Sequence, residues 1–93
     1  MYNKAYTINY DLKAPNRDYE GLYEAIKASP KWWHYLESTW IIATDESVKQ
    51  VSARLKPHID DNDRLLVIEV RENFQGWLPK KAWEWLHANV PNP

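Results

Sequence analysis

Residues 31–44 read KWWHYLESTWIIAT, and the fold depends on whether this run is one element or two. It is dense in aromatic and β-branched residues, which suit a pleated surface, and its polarity is too irregular for an amphipathic helix. It is also long for a single strand, so we read two short strands joined tightly near residues 37–39. Upstream, Tyr6, Ile8 and Tyr10 alternate with Ala5, Thr7 and Asn9, which predicts a first strand over residues 4–11. KAPN, residues 13–16, breaks it. Asn16 or Asp18 is placed to cap a helix in which Tyr19, Leu22, Tyr23 and Ile26 recur at helical spacing, and Ser29 with Pro30 ends it.

Downstream, Thr44 or Asp45 is expected to cap a second helix reaching about His58, with Val48, Val51 and Leu55 on its inner face. DDND, residues 60–63, reads as a solvated turn. RLLVIEV, residues 64–70, is a nearly continuous apolar run of the kind expected of a strand at the centre of a sheet. The resulting order, βαββαβ, is the ferredoxin-like arrangement: an α+β fold with an antiparallel sheet and both helices on one face. We expect one domain over residues 1–93, with its core in 4–70 and a helical extension in 77–90.

The extension, GWLPKKAWEWLHANVPNP, predicts a third helix from Pro79 to about Ala88. Ala82, Trp85 and Leu86 share a face, whereas Trp83 lies roughly 200° from Trp85 at about 100° per residue, so both indoles cannot enter one narrow groove. Trp83 therefore either lies flat on its own domain or, with Trp77 and Trp85, covers a second subunit, since large aromatics anchor interfaces. Trp32 and Trp33 are adjacent on a strand and must face opposite sides, one toward the helices and one toward the open side. A base-stacking role there needs cations nearby, such as Lys4 or Lys31.

Composition removes several function classes. A net charge of −1 gives none of the long-range attraction of a dedicated nucleic-acid binder, although Lys49, Arg54 and Lys56 share a helix and Lys80 and Lys81 begin another. Without cysteine there is neither a disulfide framework nor a thiolate metal site. His34, His58 and His87 lack zinc-ligand spacing, DDND lacks the glycine and distal glutamate of a calcium loop, and two glycines cannot build a phosphate loop. No secretory leader or membrane-length apolar run is visible, so a cytoplasmic protein without a membrane partner is expected.

INYDL at the end of the first strand, STWII in the middle strands and DNDRLLVIEV in the last resemble the small ferredoxin-fold nuclease family of the CRISPR adaptation complex, the partner of the spacer integrase. The likeness covers residues 5–70. WWHYLESTW and GWLPKKAWEWL are similar, over nearly the whole chain, to segments of bacterial proteins labelled SinR-like. The nuclease resemblance implies a homodimer in which Asp11 faces its counterpart across the two-fold axis, the pair holding Mg²⁺ for phosphodiester hydrolysis, with Ser38 orienting a phosphate or water. The family's arginine-rich helix is absent: NRDYEGLYEAIK offers Arg17 alone and carries Asp18, Glu20 and Glu24, which repel a polyanion. An aspartate at a strand end is also an ordinary turn former. Two classes thus remain. The favoured one is a homodimeric, non-catalytic module binding protein or nucleic acid and needing no cofactor; the other is a Mg²⁺-dependent nuclease acting through Asp11.

Overall fold

Residues 31–44 divide into two strands, β2 (Lys31–Leu36) and β3 (Thr39–Thr44), turning at Glu37 and Ser38. They belong to a computed structural model that describes residues 2–13 and 18–92. Asn16 and Arg17 lie outside the described residues. Before the hairpin come β1 (Lys4–Asp11) and α1 (Glu20–Lys27); after it come α2 (Val48–Leu55), a 3-10 turn (Lys56–His58), β4 (Arg64–Glu69) and α3 (Lys80–Asn89). The strands form one four-stranded sheet in the order β2-β3-β1-β4, with every neighbouring pair antiparallel. The molecule is therefore α+β.

Strand alternation sorts the core into two layers. Tyr6, Ile8, Trp40 and Ile42 face α1 and α2, where they meet Leu22, Ile26, Val51 and Leu55; all eight are at most 2% exposed. The opposite face carries Ala5 and Ile41, which pack against Leu86 and Val90 of the C-terminal segment. Trp32 lies toward α1, with its ring 5.5 Å from that of Trp40, while Trp33 is buried on the α3 side at 2% exposure. A register slip between Trp33 and Leu36 marks a bulge near the end of β2.

Local chemistry explains the helix ends. Asp18 accepts a hydrogen bond from the Glu20 amide at 2.8 Å and so satisfies one exposed donor at the start of α1. For α2, the cap is Ser47, not Thr44 or Asp45. Its hydroxyl accepts from the Gln50 amide at 3.1 Å while the Gln50 side chain accepts from the Ser47 amide at 2.8 Å, a reciprocal capping box. Thr44 instead closes β3 and bonds Glu46 twice. The helix stops at Leu55, three residues short of His58, because Pro57 cannot continue the α ladder and the chain tightens to a 3-10 turn. Val48 is 45% exposed and lies outside the core, so the inner face of α2 is Val51 and Leu55.

The apolar run of β4 does not place it centrally. β1 is paired on both sides, whereas β4 is an edge strand, with Leu66 57% and Ile68 47% exposed. Its other apolar residues, Leu65 and Val67, pack against the helical face. The run is apolar on both sides because one side is covered by helices and the other is left bare.

Candidate functional site

Asp11 stands at the end of β1 opposite Arg64 of β4, on the rim of a shallow recess of about 410 Å³ that Asn9, Tyr10 and Leu66 also line. Its carboxylate is 63% exposed and bonds the Lys13 ammonium at 2.7 Å. The Ser38 carbonyl accepts from the Tyr10 amide at 3.2 Å, so the β2–β3 turn docks at the same end of the sheet as Asp11. One carboxylate already held by an ammonium does not make a Mg²⁺ site within a single chain. Among the described residues no three His, Asp or Glu converge as metal ligands.

The carboxylate that organises this end of the molecule is Asp63, in the DDND turn. It is 6% exposed and accepts from the Lys13 amide at 2.7 Å, from the Asp60 amide at 2.8 Å, and from the Tyr19 hydroxyl at 2.8 and 2.9 Å. DDND is thus not simply solvated: Asp63 joins the exit of β1, the start of α1 and the entry of β4. A second, part-buried anchor crosses the helices. Arg54 bonds both Glu46 oxygens at 3.1 Å, Ser29 at 2.9 Å and the Ala25 carbonyl. Burial acts to raise the Glu46 pKa, but hydrogen bonds from Arg54 and Thr44, with the Arg54 charge, outweigh it and hold the carboxyl below its ordinary value. Arg54 is therefore committed to structure and does not join Lys49 and Lys56 in a free cationic patch.

Beside α1, the aromatic rings gather. His34 lies flat on Trp40, centroids 3.7 Å apart, and Tyr23 stacks on the same indole at 6.2 Å. Trp40 donates its indole N–H to the Tyr10 hydroxyl at 2.9 Å, and burial pushes the Tyr10 phenol above its usual pKa. Lys27 places its ammonium 5.6 Å from the Trp32 ring centroid. Glu20 and Glu37 line the same recess, so its charge is mixed and does not suit a phosphate backbone. Lys4 pairs with Glu69 at 3.6 Å.

The tryptophans of the tail separate by exposure. Trp83 lies on Phe74, ring centroids 5.9 Å apart, and both Trp83 and Trp85 are half-buried beside Leu86 and Val90. Trp77 is 96% exposed. The stretch from Val70 to α3 is tied down by the Val70 amide on Ala5, the Glu72 amide on Pro91, and His87 against Glu72 at 2.8 Å. Beneath it lies a cavity of about 230 Å³.

Among the described residues no helix is long and apolar enough to cross a membrane. Comparison of the chain with protein-family models, curated proteins and solved structures returns no match.

Proposed function

We propose that this chain works as a non-catalytic, self-associating interaction module on a ferredoxin-like frame. Four antiparallel strands with α1 and α2 sharing one face support that frame. The observation that carries the functional reading is Trp77, a whole indole held in water at 96% exposure. Aromatic side chains of this size bury roughly 150–250 Å² each when covered, and tryptophan is enriched among interface anchors. Near-neutral charge imposes little repulsion between two copies. The bare strip of Leu66 and Ile68 on the edge strand β4 offers an apolar surface for the partner's Trp77. An isologous dimer buries both anchors at once.

Sedimentation velocity tests it. The intact chain is expected to sediment as a dimer at micromolar concentration, and Trp77→Ala to dissociate it without loss of helix signal. A monomer of 11.1 kDa throughout overturns the reading. The exposed position of Asp11, beside the turn that holds Ser38, favours a second reading: a nuclease in which two Asp11 carboxylates share Mg²⁺ across a dimer axis. It requires Mg²⁺-dependent cleavage of DNA or RNA that Asp11→Ala abolishes; cleavage that persists in that variant rejects it.

A further inference from the structure

Between α1 and the edge strand β2, aromatic side chains line a recess of about 440 Å³. Trp40 is its buried floor, with the rings of His34 and Tyr23 stacked on it. Trp32 turns its ring to this recess and not to the groove under α3, because that ring lies against Trp40 and the Lys27 ammonium. It is still 42% exposed. Two carboxylates stand beside the rings. Glu20 precedes Tyr23 by three residues and Lys27 by seven, so all three share one face of α1. Glu37 comes from the β2–β3 turn; burial chiefly raises the Tyr10 phenol pKa, and the Glu37 charge adds to the rise, which puts this carboxylate within electrostatic reach of the recess. Among the described residues neither Glu20 nor Glu37 forms an ion pair.

One indole of the recess already carries a cation. Lys27, paired with Glu24 at 3.8 Å, holds its ammonium 5.6 Å from the Trp32 ring centroid. We propose that the recess binds a small organic cation of the quaternary ammonium class, which replaces the Lys27 ammonium on Trp32 while Glu20 and Glu37 balance its charge. Two carboxylates against one ammonium leave the lining net negative. A quaternary nitrogen keeps the charge that the ring face attracts, presents methyl groups to the aromatic walls and has no N–H to strip of water. A hard metal ion fits poorly, since it requires several oxygen ligands. A free cation is favoured over a lipid headgroup, because the two carboxylates repel the phosphate that a headgroup carries.

The test titrates the intact chain with choline and with neohexanol, its isostere in which carbon replaces the charged nitrogen, followed at the tryptophan ring signals by NMR. Choline is expected to bind about tenfold more tightly than the isostere and to move the Trp32 signals. Trp32→Leu, at an exposed position, should unfold at the parent's temperature and lose that preference. Lys27→Ala, which removes the resident competitor, should tighten choline binding. Phosphocholine should bind more weakly than choline. Equal affinity for choline and neohexanol overturns the proposal, as does choline binding that Trp32→Leu leaves intact or that Lys27→Ala weakens. Tighter binding of phosphocholine, or no binding of choline at millimolar concentration, also overturns it. These variants touch neither Trp77 nor β4, so sedimentation of the same samples tests self-association separately.

Discussion

The two faces of the sheet are finished to different degrees. The face under α1 and α2 holds eight large side chains at no more than 2% exposure, drawn from two strands and two helices. The face under α3 and the tail buries Ala5, Trp33, Ala43, Ala82, Leu86 and Val90, one large indole among mostly small or medium side chains, with Phe74, Leu78, Trp83 and Trp85 part-covered around them. It leaves Leu36, Leu66 and Ile68 about half in water and encloses a cavity. Close packing on the first face fixes the fold. Incomplete packing on the second leaves surface and volume with which the molecule can bind something.

If that division is correct, the largest stability loss comes from the first face. Leu22, fully buried between α1 and the sheet, should cost about 2–5 kcal/mol on truncation to alanine, measured by urea denaturation. Leu78→Ala, on the second face, should cost clearly less. Equal losses would break the comparison.

Asp63 comes next. Asp63→Asn keeps the shape but turns an amide donor toward groups that themselves donate, and should cost about 2–3 kcal/mol. Asp11→Asn removes only an exposed ion pair and should stay within about 0.5 kcal/mol. A reversed order would make Asp11, and not Asp63, the carboxylate that organises this end of the molecule.

Smaller still is the contribution of Glu46. Its folded pKa lies below the ordinary 4.5, so the folded chain releases this proton more readily than the unfolded one. The stability it supplies is complete above that value and is lost as pH falls through the lower, folded one. Glu46→Gln should cost about 1 kcal/mol at neutral pH, and the gap to the parent should close on acidification. A gap constant with pH would mean that Arg54 gains nothing from the charge.

What could be read in the sequence follows the range over which each feature is determined. β1 and the β2–β3 hairpin depend on alternation and turn chemistry within a few residues, and their bounds were visible. The Ser47–Gln50 capping box was equally local; its S-x-x-Q spacing was the signal that should have displaced Thr44 and Asp45. Asp63 was hidden because its principal partner, Tyr19, lies 44 residues away, and nothing in four consecutive polar residues says which one turns inward. β4 was misplaced for a related reason. An apolar run looks the same whether both faces are covered or one is bare, and only the strand order separates the cases. The cavity under the tail comes from how α3 crosses the sheet, which no local pattern encodes.

The smallest effect on the isolated fold is expected at the bare strip itself, and there the comparison is sharpest. Leu66 is 57% exposed on the edge strand, so Leu66→Lys removes little buried area and should change unfolding stability of the monomer by no more than about 0.5 kcal/mol. A lysine on an edge strand also opposes pairing with another chain, because bringing the ammonium into an apolar contact strips its water without a counter-charge. The same substitution should therefore leave dilute-solution stability unchanged while weakening self-association, seen as a shift of the sedimenting species toward 11.1 kDa. A loss of several kcal/mol in the dilute monomer would mean that the strip belongs to the core after all, and the second face would have to be regarded as finished.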